Sequence, residues 1–120
     1  MIDLNSYKNL KVLVTGSTGF KGSWMCLWLI MLGAKVYGIS LKPNNESILF
    51  KSLKLSSKIK QINCDINNYD KINEIIKKIK PDIIFHLAAQ SLVSKSFNDP
   101  LTTIKTNIYG SAVILKSFVE

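Results

Sequence analysis

The sequence predicts an α/β protein with a doubly wound parallel sheet of about four βα units. Short runs of β-branched and aliphatic residues alternate along the chain with longer segments of helical periodicity, a pattern typical of βαβ connections. The first short run ends in a turn with three glycines at three-residue spacing, Gly16, Gly19 and Gly22. The 120 residues are enough for one domain or part of one, and a hydrophobic content of 47% is enough for a core.

The first half of the chain predicts two strands and two helices after a polar segment over residues 1–9. In chain order these elements span 11–15 (strand), 23–32 (helix), 34–40 (strand) and 48–55 (a weaker helix). Gly33 is a natural helix end, and residues 42–45 are predicted to form a loop. The first helix carries an apolar stripe at helical spacing, which we expect to pack against the sheet: Trp24, Leu27, Trp28 and Met31.

The second half predicts two further strand–helix units. They span 60–64 (strand), 69–80 (helix), 82–87 (strand) and 100–120 (helix). Asn68 can cap the first of these helices and Pro81 ends it, and the stretch 91–99 is polar. The alternation indicates a parallel sheet with right-handed crossovers. For a doubly wound sheet we expect the strand order 3-2-1-4, with a ligand at the switch between strands 1 and 4.

The glycine turn is the part of the sequence that carries chemistry. A strand, a glycine turn and a helix in that order form a phosphate-binding element, because the first helical turn has unpaired N–H groups and the positive end of the dipole. Gly16 permits the tight turn, Gly19 lets phosphates approach the backbone, and Gly22 lets the helix pack closely. The pattern predicts a Rossmann-like dinucleotide site. A P-loop is rejected, since it needs Gly-Lys-Ser/Thr and this chain has Lys21-Gly22-Ser23.

Composition excludes several other function classes. The formal charge is +8, but all sixteen basic residues are lysines and they are scattered, so we expect no nucleic-acid partner. Cys26 and Cys64 lack metal-ligand spacing and are predicted to be small core residues in a reducing compartment. The longest apolar run, 24–32, is too short to span a bilayer, and the first residues lack the pattern of a signal peptide. We therefore expect a cytoplasmic protein with no metal and no membrane partner.

Two runs point to a known family. Gly-Phe-Lys-Gly-Ser-Trp over residues 19–24 and Ala-Ala-Gln-Ser-Leu-Val over residues 88–93 resemble the CDP-glucose 4,6-dehydratases, in the extended branch of the short-chain dehydrogenase/reductase superfamily. The resemblance covers the whole chain but only about the first third of such an enzyme. It implies NAD as the cofactor, with NADP less favoured, and in the full-length enzyme a nucleotide-sugar substrate, CDP-glucose, and a homodimer. This chain would be the N-terminal part of the NAD(P)-binding domain, without the substrate-binding C-terminal part.

The resemblance also implies site residues. The cofactor would contact the turn, the ends of the second and third strands and the end of the fourth, at Gly16, Thr18, Gly19, Phe20, Lys21, Gly22, Ser40, Asp65, Ile66, Leu87, Ala88, Ala89 and Gln90. Asp65 would bond the adenine amino edge, although a turn or cap role is open. Asn107 matches a helical asparagine that supports the catalytic site, and an incidental role is equally open. His86, the single histidine, is predicted to be a satisfied core residue.

The chain departs from the family pattern in two respects. Where many NAD enzymes have an acidic residue after the second strand, it has Ser40-Leu41-Lys42, and a lysine there leaves NADP open. The Tyr-x-x-x-Lys pair is also missing, because the one tyrosine–lysine offset of four, Tyr7 and Lys11, precedes the turn and is attributed to chance. We therefore predict no catalytic residue here and no activity of this chain alone. The alternatives are a non-catalytic dinucleotide-binding module, another nucleotide-sugar epimerase or dehydratase, and a truncated product without a stable fold.

Overall fold

The computed structural model describes residues 4–120. Its sheet contains four strands, β1 (Lys11–Thr15), β2 (Lys35–Ser40), β3 (Lys60–Asn63) and β4 (Ile83–His86). All neighbouring strands are parallel and their order is β3-β2-β1-β4. The predicted doubly wound sheet with strand order 3-2-1-4 is confirmed. Each strand begins and ends within one residue of its predicted bounds.

Within the described residues, six helices pack around the sheet. They are α1 (Phe20–Met31), α2 (Ile48–Ser52), α3 (Tyr69–Ile79), α4 (Val93–Asn98), α5 (Pro100–Ile104) and α6 (Gly110–Val119). Short 3₁₀ turns cover Leu4–Tyr7 and Leu55–Ser57, and a π-helical segment, Lys105–Tyr109, joins α5 to α6. The predicted helix over 48–55 is thus a short helix followed by a 3₁₀ turn.

The central strand β1 supplies side chains to two separate cores. Leu13 points to the face that α3 and α6 cover, where it packs with Ile39 and the isoleucines of α3. Val12 and Val14 point to the opposite face, which α1 and α2 cover. This explains why β1 is apolar throughout, as a parallel strand buried on both sides must be.

Helix α3 follows its sequence pattern closely. The Asn68 side chain accepts a hydrogen bond from the Lys71 N–H at 3.2 Å, so the predicted cap is confirmed. The apolar stripe faces the sheet, and its most buried members are Ile72, Ile76 and Ile79. The helix ends at Ile79, one residue early, because the next residue adopts a left-handed conformation.

The predicted packing of α1 is wrong. The exposed fractions of Trp24, Trp28 and Met31 are 49%, 60% and 76%, so most of the apolar stripe faces away from the sheet. The residues of α1 that the fold buries are mainly small: Gly22, Ser23, Cys26 and Leu29. The helix also begins at Phe20, three residues before the predicted start, because Gly19 already serves as its N-cap. The close packing of the helix start against the turn selects small side chains for the inner face.

The region between β4 and α6 also differs from the prediction. The stretch 91–99, interpreted from the sequence only as polar, contains α4, none of whose residues is buried. The carboxylate of Asp99 then accepts the Thr102 N–H at 3.1 Å, and Pro100 opens α5 as predicted. The last predicted helix is continuous, but the segment Lys105–Tyr109 within it is π-helical.

Candidate functional site

The glycine turn brings the end of β1 against the end of β4. Gly16 has a φ of 72°, a conformation that favours glycine. A Cβ at Gly16 would lie 2.8 Å from the backbone nitrogen of Ala88, so any side chain would collide with the segment after β4. The Gly16 N–H donates to the carbonyl of Ile39 in β2 at 2.8 Å, which ties the turn to the sheet.

The start of α1 is open to a ligand. Its N-cap, Gly19, has extended backbone and makes no side-chain cap, and the first turn contains no acidic residue. Phe20 and Lys21 are exposed beside it, whereas Thr18 is half-buried. The first N–H groups of a helix lack intrahelical partners, and nothing on this helix neutralises its positive end. The turn therefore fits an anionic diphosphate, which would complete the N-terminus of α1.

Gly22 determines how closely α1 approaches the turn. A Cβ at this position would collide with the carbonyl oxygen of Gly16 and would lie 3.0 Å from the Ser17 Cα. The neighbouring Ser23 is fully buried and donates its hydroxyl to the Ser17 carbonyl at 3.2 Å. The absence of a side chain at Gly22 thus allows the helix to approach the turn closely, and the buried hydrogen bond from Ser23 holds it there.

Thr15 and His86 organise the segment after β4. The Thr15 hydroxyl oxygen accepts the N–H groups of Leu87 and Ala88, at 3.1 and 3.2 Å. Since it already accepts twice, its own proton points to His86 Nδ1, 2.6 Å away. His86 must therefore be neutral, with its proton on Nε2 directed at the Ser111 hydroxyl at 2.9 Å. Burial lowers the pKa of His86 below its usual value, which favours that neutral form. The prediction of a satisfied core histidine is confirmed.

Asn107 fixes the next part of the same segment. Its side-chain oxygen accepts the Gln90 N–H at 2.8 Å, and its side-chain nitrogen donates to the Gln90 carbonyl at 3.0 Å. Asn107 lies in the π-helical segment, and its own carbonyl accepts the Ser111 hydroxyl at 2.7 Å. This asparagine thus clamps the backbone that follows β4, and a supporting role toward a site there stays a prediction.

The segment after β3 contains the other predicted contacts. Asp65 is exposed, and its carboxylate accepts the Asn67 N–H at 2.9 Å while its carbonyl accepts the Asn68 N–H at 3.0 Å. It is therefore a turn residue, the alternative that the sequence left open, and its contact with adenine stays a prediction. Ile66 is only 5% exposed and packs in the core, so its side chain serves the fold.

The predicted cofactor residues all lie at the carboxyl ends of the parallel strands. The turn follows β1, Ser40 ends β2, Asp65 follows β3 and Leu87 follows β4. The structure directly joins the turn to the segment after β4, where Leu87 and Ala89 are exposed and Ala88 and Gln90 are half-buried. The carboxyl edge of a doubly wound sheet is where ligands bind in this architecture.

Sequence reasoning missed four polar residues that build this edge: Thr15, Ser17, Gln61 and Ser111. Ser17 donates to Gln61 Oε1 at 2.7 Å, and Gln61 Nε2 donates to Ser40 Oγ at 2.8 Å. Gln61 lies in a strand that is mostly polar, Lys60–Asn63, so nothing in the sequence distinguishes it. The serines and the threonine carry no signal either, because their partners are far away in sequence.

Both cysteines behave as predicted core residues. Cys26 and Cys64 are buried and free, and burial raises the pKa of Cys26 to about 12. Within residues 4–120, no three His, Cys, Asp or Glu side chains cluster as a metal site would require. None of the helices in the same range is long and apolar enough to cross a membrane.

The family of the chain follows from its similarity to known proteins. The profile of the family described as GDP-mannose 4,6 dehydratase matches residues 13–120. The chain belongs to this family. A CDP-glucose 4,6-dehydratase from Salmonella typhimurium is 40% identical over 117 residues, covering 98% of the chain and 33% of that enzyme. A dTDP-glucose 4,6-dehydratase from the same organism is 30% identical over 89% of the chain and 30% of its own length.

Solved structures of UDP-glucose 4-epimerases share the fold. A UDP-glucose 4-epimerase from Thermotoga maritima, determined with UDP-glucose, gives a TM-score of 0.79 at 31% identity, over 90% of this chain and 33% of its own. A UDP-glucose-4-epimerase from Stenotrophomonas maltophila, determined with bound NAD, gives 0.79 at 25% identity, over 92% of this chain and 34% of its own. The chain spans about a third of the length of the relatives it matches. The relationship to nucleotide-sugar dehydratases implied by the sequence is confirmed.

Proposed function

We propose that this chain is the dinucleotide-binding part of an NAD-dependent nucleotide-sugar 4,6-dehydratase. The observation that carries the proposal is the uncapped N-terminus of α1, placed by Gly16 and Gly22 against the segment after β4. An open helix start beside closely packed glycines suits a pyrophosphate. NAD bound there would accept a hydride from the sugar and return it later in the reaction.

The chain's own residues bind and orient the cofactor. The turn, with Thr18, Gly19, Phe20 and Lys21, would hold the pyrophosphate. The segment after β4 would lie along the nicotinamide side, because Thr15 and Asn107 fix its backbone. NAD is favoured because a neighbour of the same fold is described with bound NAD. Lys42 is the one nearby residue that would favour the 2′-phosphate of NADP.

The substrate proposal rests on the relatives. CDP-glucose is favoured because the 40%-identical relative is a CDP-glucose 4,6-dehydratase, and its similarity covers the turn and the segment after β4. The alternative is a UDP-glucose 4-epimerase activity, which the 31%-identical structural neighbour favours. This chain alone would be inactive, because no tyrosine–lysine pair follows the turn at the four-residue offset. A cytoplasmic location and a homodimer for the full-length enzyme stay predictions.

A titration of the purified chain with NAD tests the cofactor site. Gly19→Val adds a branched side chain where the backbone must approach phosphate, and the only close contact of its Cβ is the Gly16 carbonyl at 3.3 Å. We expect NAD affinity to fall at least tenfold, about 1.4 kcal/mol. Ala112→Val places the same branched side chain at an exposed position on α6 and should leave the affinity unchanged. Equal affinity of folded wild-type and Gly19→Val chains would refute the assignment.

A further inference from the structure

A hydrogen-bond relay runs beneath the turn to the end of β2. Ser17 in the turn bonds Gln61 Oε1 at 2.7 Å, Gln61 Nε2 bonds Ser40 Oγ at 2.8 Å, and Ser40 Oγ bonds the Leu41 carbonyl at 2.7 Å. These groups come from three elements that are 44 and 21 residues apart along the chain. The relay therefore connects the two predicted cofactor segments on the adenosine side of the sheet.

The direction of every hydrogen bond in the relay is determined by chemistry. A carbonyl only accepts, so the single proton of the Ser40 hydroxyl must go to Leu41. Ser40 must then accept from Gln61, which places the amide nitrogen toward Ser40 and the amide oxygen toward Ser17. Ser17 in turn must donate. As a result, the Ser40 hydroxyl oxygen can accept a further hydrogen bond but cannot donate one.

Burial makes the relay necessary. Ser17 is fully buried and Ser40 is 6% exposed, and buried hydroxyls that lose their partners are costly. The fold also makes room for it, because Gly38 in β2 pairs with Gln61 in β3. A Cβ at Gly38 would collide with Gln61 Oε1 and lie 2.7 Å from Ser17 Oγ. A glycine in the middle of a strand weakens the strand and often marks a place where another group approaches closely, which here is the Gln61 side chain.

We propose that Gln61 is a positioning residue that biases the adenosine site toward a cofactor with a free 2′-hydroxyl. This inference rests on the proposed dinucleotide site. Ser40 stands where enzymes of this architecture hold the adenosine ribose. The Leu41 carbonyl takes the Ser40 proton, and the Gln61 amide, which donates to the same oxygen, keeps the hydroxyl in that orientation. A ribose 2′-hydroxyl can donate to such an oxygen, whereas a 2′-phosphate offers acceptors only. The relay therefore opposes the attraction that exposed Lys42 exerts on a 2′-phosphate.

Titrations of the full chain with NAD and with NADP test the inference. The variants are Gln61→Met, which keeps the length of the side chain without its hydrogen bonds, Ser40→Ala, and the double variant. We expect wild type to bind NAD more tightly, and each single change to lower the ratio of the NADP and NAD dissociation constants at least threefold. The double variant should lower it no further, because both changes break one relay. Ser57→Ala, which removes an exposed hydroxyl that donates to the Lys54 carbonyl, should leave the ratio unchanged.

The outcomes separate this inference from the proposed function. If the folded wild type binds neither dinucleotide, the proposed function fails and the inference fails with it. If NAD binds but NADP binds as tightly or more so, or if folded Gln61→Met or Ser40→Ala leaves the ratio unchanged, the inference is overturned while the dinucleotide site stands. Should Gln61→Met fail to fold, Ser40→Ala decides alone, since it removes less of the core. Thermal unfolding of each variant shows which case applies.

Discussion

Helix α3 packs on one face of the sheet with isoleucines, whereas α1 packs on the other face mainly with glycine, serine and cysteine. The outward face of α3 is rich in lysine, but the outward face of α1 contains two tryptophans and a methionine. Together with Lys21, Leu27 and Leu87, these side chains line a surface groove of about 510 Å³. The two helices thus arrange large and small apolar residues in opposite ways.

The difference follows from what each helix start must do. Helix α3 has its own cap, Asn68, so it can stand at the distance that large side chains require. Helix α1 begins at the glycine turn, and its first turn contacts the Gly16 carbonyl and the Ser17 backbone. Large residues on its inner face would lift the N-terminus away from the turn. Close approach is therefore obtained with small residues near the helix start, whereas the large Leu29 is buried farther along the helix, away from the turn.

The largest expected effect is the loss of a large inner side chain on α3. Ile72 is fully buried, so Ile72→Ala removes packed methyl groups and leaves a cavity. We expect the free energy of unfolding to fall by about 2–5 kcal/mol. Denaturant unfolding monitored by circular dichroism measures the change. Ile48→Ala, at a position 69% exposed, should change it by less than about 0.5 kcal/mol, and equal losses at the two sites would contradict the packing described.

Enlarging a small inner residue of α1 should lower the free energy of unfolding by less than the Ile72 change, but by a measurable amount. Gly22→Ala adds one methyl group that collides with the backbone of the turn, so helix and turn must separate. We expect a loss of about 1–3 kcal/mol, even though alanine favours helices intrinsically. Gly110→Ala is the comparison variant and should cost less, because its Cβ meets the side chain of buried Ile66, which can shift, rather than a backbone carbonyl. A stabilised Gly22→Ala variant would show that close approach is unimportant.

The smallest effect is expected on the outer face of α1. Trp28 is 60% exposed, and Trp28→Gln should change the free energy of unfolding by no more than about 0.5 kcal/mol. The adjacent Leu29 is 2% exposed, and Leu29→Ala should cost about 2–5 kcal/mol in the same assay. If the tryptophan change proved as costly as the leucine change, the stripe would face the core after all.

Hydrophobic periodicity predicted an element correctly where the element has only to bury apolar surface. The strands and α3 fall into this class, and so does the cap at Asn68, because hydrophobic spacing and local hydrogen bonding suffice to define them. It failed at α1, where the approach to the turn overrides hydrophobicity, and at α4, which buries nothing. The glycine turn was still recognised, since its spacing and its position between strand and helix are local features.

The sequence by itself determined the alternation of strands and helices, the glycine turn and the family, because each depends on neighbouring residues or on a contiguous motif. The strand order followed from the fold class that these features imply. Only the tertiary structure decided which face of α1 is buried and which polar side chains meet. Thr15 reaches His86 across 71 residues of sequence, and Ser17 reaches Gln61 across 44. Such contacts arise when the parallel strands bring their carboxyl ends to one edge, and no local pattern specifies which hydroxyl will find which partner there.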